Sequence, residues 1–146
     1  MKVRLLCVGK IKESFFTEGI QEYAKRLQRY CKFEISEVAE CNVGEEKKRK
    51  QTEGEALLKQ MQGKTILLDR EGTQVDSVQF AELFRSEPEV TVVIGGSLGV
   101  SDEVKQKSDV SVAFGNVTYP HQLMRLIASE QIYRAFTILH HAPYHK

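Results

Sequence analysis

Tryptophan is absent from this sequence, and proline and cysteine each occur only three times. The cysteines stand far apart, at positions 7, 31 and 41, with no CxxC spacing. That spacing indicates neither a disulfide framework nor a zinc site. Cys7 lies in an apolar run and reads as a small core residue. With so little proline, 41% hydrophobic residues and 28% charged ones, the chain is neither a low-complexity nor a disordered sequence. Excess charge is also missing, since 21 Lys and Arg face 20 Asp and Glu for a net +1. No global field draws the chain to a polyanion, so a nucleic acid has to be met by local patches. No apolar run approaches the roughly 18 residues of a membrane span, and the opening MKVRLLCVGKIK lacks a signal-peptide core. The expectation is a cytoplasmic protein with no membrane partner and no metal.

At 146 residues the chain fits a single domain over 1–146, and a domain of that size buries about 68–70% of its unfolded surface. Val3–Val8 is a dense apolar run closed by Gly9, as in a buried strand. Phe16, Ile20, Tyr23, Leu27 and Tyr30 follow at helical spacing. Lys10, Lys12, Lys25, Arg26, Arg29 and Lys32 make this region basic, and two readings stand, a solvated face and a contact to phosphate. Residues 33–39 alternate like a strand, a pattern that suits an edge of the sheet. Beyond Gly44, Glu45–Arg49, Glu46–Lys50 and Glu55–Lys59 are spaced for i,i+4 pairs in a helix that becomes apolar only at Leu57, Leu58 and Met61. Residues 65–69 predict a strand ending in a charged turn with Gly72, and Asp76 with Gln79 a capping box. Val90–Ile94 has the β-branched density of a central parallel strand, Ser101 a helix cap, Val110–Phe114 a last strand, and His121–Leu139 a last helix. This alternation predicts an α/β fold with a mostly parallel sheet flanked by helices on both faces.

In open α/β sheets ligands gather at the carboxyl ends of strands. The ends available are Leu68-Asp69, Ile94-Gly95-Gly96 and Phe114-Gly115. The cluster Gly95-Gly96-Ser97-Leu98-Gly99 is not GxGxxG and follows a late strand, which disfavours a nucleotide-dependent oxidoreductase. Taken alone, it fits a tight structural turn as readily as a ligand site.

The combination of VVIGGSLG, SVAFGNVTYPHQLMRLIASEQIYRAFTI and the terminal HAPYHK resembles the bacterial large-subunit ribosomal RNA pseudouridine N3-methyltransferases, the RlmH family of the SPOUT superfamily. VRLLCVGKIKE, TEGEALL and LLDREG extend the resemblance over the whole chain, and TYPHQLMR with the final YHK is its most specific part. The resemblance implies S-adenosylmethionine as cofactor, and a C-terminal trefoil knot that general connection rules would not suggest. It also implies a homodimer with shared pockets, and 23S rRNA in the large subunit or whole ribosome as substrate. By the match of motifs, Leu68, Gly95 and Phe114, Gly115, Asn116, Val117, Thr118 and Tyr119 line the cofactor, and Gly96 and Gly99 shape the turn. Candidates for assisting proton loss or gripping the base are His121, Arg125, Tyr144 and His145. For His121 a helix-capping role stands beside the catalytic one. Arg125, one turn on in a broadly apolar helix, reads as paired or substrate-facing rather than idle. The tail's aromatic, imidazole and ammonium groups suit stacking on a base and meeting phosphate, whereas Glu130 and Arg134 read as a structural i,i+4 pair. The last helix carries more apolar residues than one buried stripe needs, which suggests a subunit interface. A non-catalytic, ribosome-associated RNA-binding protein of the same fold is the alternative.

Overall fold

A computed structural model describes residues 1–146. Five strands, all parallel, form one sheet in the order β2-β1-β4-β3-β5. They are β1 Lys2–Val8, β2 Lys32–Val38, β3 Lys64–Gln74, β4 Glu89–Ile94 and β5 Val110–Ala113. The helices are α1 Ser14–Leu27, α2 Glu46–Leu58, α3 Ser77–Glu82, α4 Asp102–Lys107 and α5 His121–Leu139.

β1 and β4 are near-continuous apolar runs because helices cover both faces of the sheet at its centre. Side-chain alternation divides each strand between two layers. Val3, Leu5 and Cys7 of β1 join Val90, Val92 and Ile94 of β4 in the layer under α1, α3 and α5, closed by Leu27, Phe80, Ala128, Ile132 and Phe136. Leu6, Val8 and Val93 face the smaller layer, closed by Leu57 of α2 and Val104 of α4. Burial raises the Cys7 thiol to about 12, as expected of a core cysteine. β2 is an edge strand, as its alternation suggested, and leaves Ile35 exposed while burying Val38. Arg4 is tolerated in β1 because its guanidinium donates to Glu34 Oε1 at 2.8 and 3.0 Å and to the Gln60 carbonyl at 3.1 Å.

Local signals appear where the sequence put them. Asp76 accepts from the Gln79 amide at 2.7 Å while the Gln79 side chain accepts from the Asp76 amide at 2.9 Å, a complete capping box. Ser101 Oγ accepts from the Val104 amide and caps α4.

Two expectations are corrected. Residues 69–72 do not end β3. The strand bulges there and resumes, with Thr73 and Gln74 pairing again with Val112 and Ala113. Gly72 serves this close approach, since a Cβ on it would fall 2.6 Å from the Ser111 and Val112 backbone. On α2, none of the three i,i+4 pairs is among the ion pairs formed. Arg49 instead donates to the Cys41 carbonyl at 2.9 Å, and Lys50 is half-buried. On α1, Arg26 pairs with Glu22 and lies over the rings of Tyr23 and Tyr133. Lys25, Arg29 and Lys32 remain exposed.

Candidate active site

On one side of the sheet β4 and β5 end and β3 bulges at residues 69–72, and a cleft of about 800 Å³ opens between these segments. Its floor includes Leu68 at the end of the buried part of β3. One wall is the turn after β4. There the Gly99 amide donates to the Gly96 carbonyl at 3.0 Å, and Gly99 takes φ 84°, a conformation that favours glycine. Gly95 cannot carry a side chain because a Cβ would lie 2.6 Å from Val100 Cγ1. The facing wall is the loop after β5. Phe114 packs edge-on against Phe80 with ring centroids 5.0 Å apart, and Gly115 turns the chain at φ 93°. Arg70, from the β3 bulge, donates to Thr118 Oγ1 at 2.6 Å and braces this loop.

Leu68, Gly95, Gly96, Gly99, Phe114, Gly115, Val117, Thr118 and Tyr119 thus line one cleft, and His121 joins them at the first residue of α5. Asn116 stands apart from this lining, with Oδ1 held by the Gln74 side-chain amide. The first turn of α5 has no side-chain cap, so His121 is not spent on capping.

The remaining candidates lie elsewhere in the chain. Arg125 is 1% exposed and turns under the sheet edge. It donates to Glu37 Oε2 at 2.5 Å and to the carbonyls of Val8 and Gly9 at 3.0 and 2.6 Å. Tyr144 and His145 fold back on the far half of α5. Tyr144 Oη donates to Glu130 Oε1 at 3.0 Å, and His145 Nδ1 lies 3.1 Å from Arg134 Nη1. Arg134 also holds Glu130 Oε1 at 2.6 Å and stacks over the Tyr144 ring. Glu130 lies nine residues beyond His121, or about 13 Å along the helix axis. Within one chain, the tail therefore docks from the middle of α5 onward, well away from His121.

A family model described as "Predicted SPOUT methyltransferase" matches residues 1–145. The chain belongs to the SPOUT methyltransferase family. Among curated relatives, the "Ribosomal RNA large subunit methyltransferase H" of Limosilactobacillus reuteri is 43% identical over 159 aligned positions covering all of both chains. The proteins of the same name from Streptococcus mutans and Desulfitobacterium hafniense are 42% and 43% identical over all of this chain and at least 99% of their own.

Several residues of this SPOUT methyltransferase escaped sequence reasoning. Arg70, Lys50 and Lys105 line the cleft. Arg70 directly follows Leu68-Asp69 and was findable as part of a strand end. Lys50 and Lys105 come from α2 and α4, whose approach to the cleft is set by packing, and no local pattern announces it. The Glu130–Arg134 pair, legible as a helix pair, proves to be the anchor of the tail.

Proposed function

We propose that this chain transfers a methyl group from S-adenosylmethionine to N3 of a pseudouridine in 23S rRNA, working in the cytoplasm on the large subunit or whole ribosome. The observation that carries this reading is the glycine-walled cleft at the ends of β4 and β5 and the bulge of β3, in a chain that matches the family over residues 1–145. The residues present fit the donor. The cleft falls within the roughly 300–1,000 Å³ range of small-molecule sites. Gly95 and Gly99 bring main-chain N–H and C=O groups within reach of adenine and ribose, and Leu68 and Phe114 offer apolar surface to the ring.

When bound, S-adenosylmethionine supplies a methyl group already activated by its sulfonium charge, so that the S–C bond breaks as the N3–C bond forms. The chain's own task is alignment and removal of the N3 proton. His121, at the cleft and free of capping duty, is placed to take that proton. Arg125 acts through the scaffold, tying the start of α5 to the end of β1.

The tail reaches chemistry in a homodimer. Leu123 and Ile127 on α5 are half-buried yet belong to neither core layer, which supports a partner surface beside the cleft. Two copies with antiparallel α5 helices would set Tyr144 and His145 of one copy against the His121 of the other. The segment from β4 to α5 is read as a trefoil knot, supported by β4 lying inside β3 in the sheet and by α5 returning from the β5 edge to pack on α1.

Mass-spectrometric mapping of 23S rRNA tests the reading. Ribosomes lacking the modification, incubated with the protein and S-adenosylmethionine, should gain one methyl on a pseudouridine. Donor binding with no methyl incorporation would instead favour the non-catalytic RNA-binding alternative.

A further inference from the structure

The basic N-terminal region carries more free cations than the fold uses. Lys10, Lys12, Lys25, Arg29 and Lys32 are exposed and join none of the ion pairs. A merely solvated face intersperses both signs, but the acids here are largely spent. Glu22 holds Arg26, Glu34 holds Lys2 and Arg4, and Glu37 holds the buried Arg125. Among residues 1–40, the carboxylates left without an ion pair are Glu13, Glu18 and Glu40.

Two of these cations stand beside the start of α5. Lys10 and Lys12 lie on the loop between β1 and α1, and the Lys12 amide donates to Gln122 Oε1 at 3.2 Å. Gln122 follows His121, so this contact fixes the loop next to the residue placed to take the N3 proton. A second cavity, of about 350 Å³, opens there between α1 and β2. Lys10, Thr17 and Gln21 line it with an ammonium, a hydroxyl and an amide, and the Arg125–Glu37 pair closes it. Since Arg125 already matches the charge of Glu37, the cavity's uncompensated charge is that of Lys10. Thr17, Gln21 and Lys25 succeed one another at i,i+4 on α1, so the polar lining leads on to a further free cation.

We infer that Lys10 and Lys12, with Thr17 and Gln21, form a seat for the phosphate backbone of the acceptor RNA beside the reacting base, and that Lys25 extends it along α1. The two ammonium groups meet phosphate charge, while the hydroxyl and the side-chain amide donate to phosphate oxygens. This assignment rests on the RNA substrate reading above and adds to it which of the scattered cations hold the strand. Contacts to phosphate fix register without reading sequence, so the seat governs affinity for the ribosome and leaves the methyl-transfer step itself to the cleft. It also gives a chain of net charge +1 the local patch that a polyanion requires.

Kinetics of methyl transfer to ribosomes lacking the modification, at saturating S-adenosylmethionine, test the seat. Lys10→Gln combined with Lys12→Gln should raise KM for ribosomes about tenfold and leave kcat and calorimetric donor affinity within about twofold, with thermal melting to check the fold. The fall of log kcat/KM with log salt should flatten by about 1.5, the share of two phosphate contacts. Lys59→Gln combined with Lys107→Gln removes the same charge from exposed helix ends that lead to the starts of β3 and β5, at the other end of the sheet, and should leave KM within about twofold. Gln21→Glu should raise KM by setting a carboxylate against the phosphate, and Gln21→Lys should lower it. Unchanged KM and salt slope on loss of Lys10 and Lys12, or an equal rise in KM on loss of Lys59 and Lys107, overturns the seat. A wild-type chain that binds S-adenosylmethionine but transfers no methyl to ribosomes overturns the RNA substrate reading itself, and the seat with it.

Discussion

The guanidinium of Arg125 and the carbonyl of Gly9 lie 2.6 Å apart, although 116 residues separate them in the chain. Through this contact the helix that begins at the cleft is fastened to the carboxyl end of a central strand. Arg125 also binds the Val8 carbonyl and Glu37, and its burial makes it the largest side chain fully enclosed in the fold. A side chain so committed positions α5 and is not free to meet a substrate.

Removing the Arg125 guanidinium should therefore show first in stability. Arg125→Ala leaves two carbonyls without their donor and a cavity beneath α5, at a cost of about 3–5 kcal/mol. The denaturation midpoint in urea should fall accordingly. Donor affinity of the fraction still folded should stay within a fewfold of wild type, and a selective loss of affinity with unchanged stability would contradict the clamp.

His121 is expected to separate binding from chemistry. His121→Gln should lower methyl transfer about 10²-fold or more, the usual contribution of a positioned general base, while altering donor affinity only about twofold. Parallel loss of both would place His121 on the donor side of the reaction.

Mixed dimers test whether the tail works across subunits. His121→Gln and Tyr144→Ala chains, each inactive alone, should regain about one quarter of wild-type activity when co-expressed. Half of the dimers are then mixed, and one of their two sites is intact. No recovery would mean that each chain acts alone.

Tyr144 offers a spectroscopic test of the tail's docking. Burial, followed by its hydrogen bond to Glu130, pushes the phenol up from 10.0 to about 12. One of the five tyrosines should consequently titrate late in ultraviolet absorbance, and this step should vanish in Tyr144→Phe. Between those two values the unfolded chain holds fewer protons than the folded one. The stability from this group is complete below about pH 10 and is lost as pH rises towards 12. Wild type should lose more stability than Tyr144→Phe between about pH 9 and pH 11, and identical losses would contradict the contact with Glu130.

The edge of the sheet has its own pH signature. Hydrogen bonding to Arg4 holds the Glu34 carboxyl below its ordinary value. The stability it contributes is present at neutral pH and lost as pH falls through the lowered value. Glu34→Gln should be less stable than wild type near pH 7, and the gap should close in acid. A gap that persists at low pH would point to packing as its origin.

Much of the architecture was legible in the residues because it depends on neighbours in the chain. Val3–Val8 and Val90–Ile94 announce buried strands by composition, Asp76 with Gln79 and Ser101 announce helix starts by chemistry, and the turns at Gly95–Gly99 and Gly115 announce bends that side chains resist. The cleft at the strand ends follows from those elements once the sheet is parallel. Tertiary structure decided the rest. Whether residues 69–72 end a strand or bulge within it depends on β5 lying alongside, with Ser111 and Val112 pressing on Gly72. Helical spacing puts His121 and Arg125 one turn apart, yet packing sends one to the cleft and the other beneath β1. The arrival of Glu53 at Gly96 and that of Tyr144 at Glu130 are likewise contacts between distant segments. Periodicity and capping are local properties that a sequence carries in plain order. Which polar side chain meets which depends on how whole elements pack, and no spacing along the chain encodes it.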